Sequence, residues 1–175
     1  ASVLLGLIPM EQMGIFNATV YAAEEKKTKR PSRRVPTISE STYRRLSKAQ
    51  EFLDLKDFDS ALDELAAMVR RSRRYNGNEM GQIHNMFAYI YFTKEDYPSA
   101  IKHYEIVAAQ GKKVSVGLEI AVIYSLAQLH FVEENYKDSL KYMRIWLTKA
   151  ENPGPQPHIF IGQIYYQMQD FPKAI

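Results

Sequence analysis

The sequence contains no cysteine, which excludes disulfides, thiolate metal sites and thiol catalysis. It also lacks a run of roughly 20 apolar residues able to cross a bilayer as a helix; its apolar run Ser2–Ile8 is broken off by Pro9 and Glu11. Charge of neither sign dominates, and a formal net charge of +3 is too small to signal nucleic-acid binding. The interleaved basic and aromatic motifs of single-strand readers are missing as well. There is no Gly-rich phosphate loop, nucleophile elbow or paired-carboxylate signature. The four histidines, His84, His103, His130 and His158, include no pair at the i, i+4 spacing that presents two ligands on one helical face. These absences lead us to expect no enzymatic role, no cofactor, no metal site and no nucleic-acid partner, with His130 a packed core histidine.

What the chain does contain is 46% hydrophobic and 25% charged residues, enough apolar mass for one continuous core, and a short pattern that recurs. An acid or Asn, an aromatic, two variable residues, Ala or Ser, and Leu or Ile occur as Asp57–Leu62, Asp96–Ile101, Asn135–Leu140 and Asp170–Ile175, at spacings of 39, 39 and 35 residues. A period in this range marks stacked helix pairs, each of which needs its neighbours to bury its apolar face. With Thr42, Gly81, Ile120 and Pro155 as position one, position eight is Ala49, Ala88, Ala127 and Gly162. Position eleven is Phe52, Tyr91, His130 and Tyr165, and position twenty-four is Leu65, Tyr104 and Met143. Small residues fit where two helices cross closely, and aromatics fit where they interlock.

This layout resembles the tetratricopeptide repeat. The resemblance implies an all-α, right-handed superhelical solenoid of antiparallel helix pairs, about 3.5 repeats over residues 39–175: 42–80, 81–119, 120–154 and a truncated 155–175. Position four, usually Trp in that family, is here Arg45, His84, Ile123 and His158, and the late Pro is replaced by Arg73, Lys112 and Glu151. Five extra residues follow each of the first two repeats, through Tyr75–Asn78 and Gln110–Lys113, and predict longer second helices or longer turns after them. Asn152–Pro155 predicts a hard stop before the fourth repeat.

Both ends carry expectations of their own. Residues 1–22 read as a partial secretory signal peptide, with Val20 and Ala22 suited to a signal peptidase; a short amphipathic helix capping the stack also fits the segment. Residues 23–38 read as a basic flexible arm in which Lys26–Arg34 packs six cations into nine residues. Such an arm is a solvated linker, or makes weak contact with an anionic membrane surface or an acidic partner. A second basic cluster, Arg70–Arg74, suits the carboxyl end of a helix, and its four arginines leave room for a contact patch.

In a stack of this kind the first helix of each pair lines a trough, and positions two, five, nine and twelve face it. The trough candidates are Tyr43, Gln50, Asn85, Tyr89, Phe92, Tyr124, Gln128, Phe131, Gln163 and Tyr166. No charged residue occupies these positions, so the carboxylate clamp of chaperone-tail-binding relatives is missing: Leu46 and Gln50, then Ala121 and Ser125, stand in its places. Carboxamides both donate and accept, so Gln50, Gln128 and Gln163 with Asn85 suit the backbone of an extended ligand whose charge is not read. The bland alternative makes the aromatics inter-repeat packing and the glutamines plain surface residues.

Val35–Gln50, just after the basic arm, and Ala150–Pro155 are similar to the exported tetratricopeptide proteins found with TonB, ExbB and ExbD in Gram-negative bacteria. That resemblance implies a periplasmic scaffold, an accessory of a TonB-type iron-uptake complex whose partner is TonB- or ExbB/ExbD-like. A self-associating or assembly protein of the envelope is the alternative.

Overall fold

The structure is a computed structural model that describes residues 33–174. The signal-like segment 1–22, arm residues 23–32 and Ile175 lie outside the described residues. Among the described residues the fold is all-α, without strands. The helices are α1 (Glu40–Asp54), α2 (Phe58–Val69), α3 (Gly77–Thr93), α4 (Tyr97–Gln110), α5 (Val116–Val132), α6 (Tyr136–Lys149), α7 (Pro155–Gln167) and α8 (Phe171–Ala174). Each packs on its successor, and α1 also reaches α3.

The recurring hexapeptide is the start of every second helix. Asp57, Asp96 and Asn135 are N-caps whose side chains accept from the backbone N–H of Ser60 (3.1 Å), Ser99 (3.1 Å) and Asp138 (3.4 Å), satisfying donors the helix leaves free. The residue before each cap is left-handed: Lys56 (φ 59°), Glu95 (60°), Glu134 (57°) and, in the last hairpin, Gln169 (59°). The next N–H then reaches back to the position-eleven carbonyl, Asp57 to Phe52 (2.8 Å), Asp96 to Tyr91 (2.9 Å), Asn135 to His130 (2.8 Å) and Asp170 to Tyr165 (3.0 Å). This is the Schellman closure of a helix C-terminus, made four times at equivalent places.

The small residues sit where the two helices of a hairpin meet. Ala49, Ala61, Ala88, Ala100, Ala127 and Ser139 are all fully buried. Ser139 donates its hydroxyl to the Ala127 carbonyl across the α5–α6 crossing (2.7 Å). At the α7–α8 crossing a Cβ on Gly162 would lie 3.0 Å from the Ala174 carbonyl oxygen. Position twenty-four supplies the floor of the core: Leu65 is 0%, Tyr104 1% and Met143 0% exposed, and a buried side chain of this size contributes about 1.5–3 kcal/mol.

The longer connections do not lengthen the second helices, which span 12, 14 and 14 residues. Instead each holds a short 3-10 turn, Ser72–Arg74 and Gly111–Lys113, and gives its remaining residues to an added first turn on α3 and α5. α3 and α5 therefore begin at Gly77 and Val116, ahead of the expected Gly81 and Ile120, and α1, capped by Ser39, begins at Glu40 rather than Thr42. Asn76 with Glu79 forms a capping box that makes the earlier start of α3 favourable.

The arm expected to be free over 23–38 is seated along its last six residues. Arg33 donates to the carbonyls of Gly111 and Val114 (both 3.2 Å) and pairs with Glu119 (2.8 Å), which Lys149 also contacts (2.8 Å). Asn78 and Asn76 donate their amides to the Pro36 and Thr37 carbonyls (2.9 and 3.0 Å). Ser39 then caps α1. The physical reason is the two acids at the starts of α3 and α5: Glu79 and Glu119 are 3% and 6% exposed, and burial of a carboxylate requires donors. This strap supplies one to Glu119 through Arg33, and Ser39, the residue that follows it, supplies two to Glu79.

Candidate binding face

The sequence-predicted face lies on α1, α3, α5 and α7, and its residues fall into three groups. Tyr43 and Tyr166 are open to solvent at 65% and 62%. Gln50, Tyr89, Phe92, Tyr124, Gln128, Phe131 and Gln163 are half-buried. Asn85 is buried at 3% exposure, so the carboxamide row is interrupted on α3 and that residue is corrected from face to interior.

The half-buried aromatics serve packing between hairpins as well as the surface. The Phe131 ring is 5.3 Å from Phe160 of α7 and 5.5 Å from Tyr136. Tyr124 contacts Trp146 (5.2 Å) and Phe160 (6.2 Å), and Phe92 meets Tyr97 (5.8 Å). Edge-on and tilted contacts at these separations are attractive beyond the area they bury. Among the glutamines, Gln50 donates to Asp54 (2.7 Å). No hydrogen bond among the described residues engages the side-chain amides of Gln128 or Gln163.

Two polar pairings escaped the linear reading, because their members lie 19 residues apart on the two helices of one hairpin. Position four meets position twenty-three: Arg45 bonds Glu64 (2.6 Å) on α2, and His84 meets His103 Nδ1 to Nδ1 (2.8 Å) on α4. Lys48 joins the first pair at 3.2 Å from Glu64. Burial favours the neutral Glu64 carboxyl, but the hydrogen bonds and charges of Arg45 and Lys48 outweigh it and leave its pKa lowered. The His103 ring stacks on Phe87 and Tyr91, and His84 lies tilted against Phe87. Burial lowers the pKa of both, and the charges of His84 and Lys102 add to it for His103, which is held at about 4. The sequence signal was the pair of departures from Trp at position four, each matched by a polar partner at position twenty-three.

Glu79 is the second feature missed. It accepts from the Ser39 N–H (2.9 Å), the Ser39 hydroxyl (2.7 Å), the Thr42 hydroxyl (2.7 Å) and the Asn76 N–H (2.8 Å). Burial pushes its carboxyl up, yet the donors win and hold it at about 2. The Asn76-x-x-Glu79 capping box was legible in the sequence; the donors from Ser39 and Thr42 were not.

His130 is a core histidine, 8% exposed and stacked on Tyr142 at 5.3 Å, and burial lowers its pKa. The described residues contain no group of three or more His, Asp or Glu able to hold a metal ion, and no described helix is long and apolar enough to cross a membrane. No protein-family model matches the chain, and no curated protein matches it.

Proposed function

We propose that the chain is a tetratricopeptide-type solenoid of right-handed sense, about three and a half repeats long, working as a periplasmic scaffold for protein partners. The observation that carries this reading is the fourfold Schellman turn with its position-eleven carbonyl bond. A hairpin that repeats its turn and its crossing contact in constant register turns by a similar step from one pair to the next, which winds a stack into a superhelix. The first helices line the trough. Gln128 and Gln163, with Tyr124, Phe131, Tyr89 and Phe92 around them, offer carboxamides and apolar area to an extended segment without reading its charge.

The signal-like residues before Ala22 and the likeness of Val35–Gln50 to exported relatives support the periplasm and a TonB-, ExbB- or ExbD-like partner. A second reading, a self-associating structural protein of the envelope, draws on the exposed Ile159 (53%), Tyr166 (62%) and Phe171 (52%) of α7 and α8.

The test places a photo-crosslinking residue at Gln128, or at the exposed Lys141 of α6, in the natural full-length protein within its own envelope. The proposal expects a TonB-complex component captured from position 128 and not from 141. Capture of a cytosolic chaperone, or equal capture from both positions, overturns it, and crosslinking between two copies supports the second reading instead.

A further inference from the structure

Two basic segments far apart in sequence end on one edge of the helix array. Arg70, Arg71, Arg73 and Arg74 close α2 and form the first 3-10 turn, and Lys112 and Lys113 form the second, one repeat later. The two turns adjoin: a Cβ on Gly77 would lie 2.7 Å from Lys113 Cβ, and Gly77 is three residues past Arg74, a reach of at most about 11 Å. The strap joins them there, because the Arg33 guanidinium bonds the Gly111 and Val114 carbonyls, and Arg34 follows it in the chain.

All six turn cations and Arg34 are exposed. No ion pair or side-chain hydrogen bond among the described residues engages them. Helix capping does not employ them: the last turn of α2 is closed by the backbone N–H groups of Arg70 and Arg71, bonded to Ala66 and Met68. The acids at this edge do not offset the charge either, since Glu119 is shared between Arg33 and Lys149, and Glu79 is buried under its four donors.

From this convergence we propose that the edge formed by Arg70–Arg74, Lys112 and Lys113 is a docking surface for an anionic lipid bilayer. The inference is independent of what fills the trough. Three observations choose the occupant. Tyr75, the aromatic at this edge, is half-buried in the first core cluster, so it gives no platform for stacking bases. The Gly111 and Val114 carbonyls and the Asn76 and Asn78 amides, which could pair with a peptide backbone, are already taken by the strap. What remains is long cationic side chains without a fixed recognition geometry, which suits a plane of anionic headgroups.

The experiment sediments the full chain with phosphatidylcholine vesicles, with or without about 30 mol% phosphatidylglycerol, at low salt and again at about 0.5 M salt. Binding is expected on the anionic vesicles alone and is expected to weaken strongly in high salt. Each cation near such a surface multiplies binding about five-fold, so the pair Arg73→Gln with Arg74→Gln is expected to lower it about twenty-five-fold, as is Lys112→Gln with Lys113→Gln. A control pair, Lys56→Gln with Lys137→Gln, makes the same change in net charge at the opposite ends of the hairpins and is expected to leave binding within about two-fold. Equal loss in the control, equal binding to neutral vesicles, or retention by poly-glutamate or duplex DNA without vesicle binding overturns the proposal.

Discussion

His84 Nδ1 lies 2.8 Å from His103 Nδ1, at the place where the preceding hairpin puts the Arg45–Glu64 ion pair. One imidazole must donate and the other accept, so the pair accommodates one bridging proton and is opened by a second, which sets two N–H donors face to face.

Stability should therefore depend on pH through these rings. The folded chain resists protonation while the unfolded chain takes protons near the ordinary value of about 6.5. The contribution is complete above that value and is lost progressively as pH falls toward about 4, where His103 titrates when folded. Thermal melting across this range should show the slope, and His103→Phe should flatten it. An unchanged slope in that variant would place the dependence elsewhere.

A second acid-sensitive window belongs to Glu79. Its carboxyl is held at about 2, so its contribution is present above the ordinary glutamate value and disappears as pH drops from about 4.5 to about 2. Glu79→Gln turns one acceptor oxygen into a donor facing other donors, and should cost about 1–3 kcal/mol in urea denaturation at neutral pH. A cost near zero would mean the strap and α1 do not depend on this carboxylate.

Ala100→Leu should overpack the α3–α4 crossing, where Ala100 is fully buried, and cost about 1–3 kcal/mol. By contrast Gln128→Ala, at a half-buried amide without a bonded partner, should change stability by less than about 0.5 kcal/mol while weakening partner capture. Equal destabilisation by the two would undo the separation of face from core.

Glu95 holds φ at 60° without being glycine, a conformation that costs an L-residue about 1–2 kcal/mol, of which glycine's extra chain entropy returns part. Glu95→Gly should thus raise stability by about 0.5 kcal/mol. Gly111→Ala, at φ 52° and ψ −122°, should lower it. Paired chemical denaturation would read both signs.

Helical pairing was legible because Asp57, Asp96 and Asn135 must cap, and Ala61, Ala100 and Ser139 must be small, wherever the hairpin recurs. The true starts of α3 and α5 were harder, since Asn76 and Ser115 cap them several residues ahead of the periodic apolar positions. Asn85 shows the limit of assigning faces by repeat position: its place in the repeat is that of a surface residue, yet it is buried on the most enclosed first helix. Arg33 shows another limit, because a contact across 86 residues leaves no local trace in a run of cations.

Val114 is fully buried and its methyl lies only 2.4 Å from where a Cβ on Gly81 would be, whereas the equivalent Thr42 one hairpin earlier gives its hydroxyl to Glu79. Successive joints are thus keyed by unlike chemistry, a notch and plug in one and a polar node in the other. The hairpins share a blueprint but are not interchangeable modules: exchanging the order of the first two would leave a carboxylate without its hydroxyl and drive a side chain into the space the isopropyl group fills.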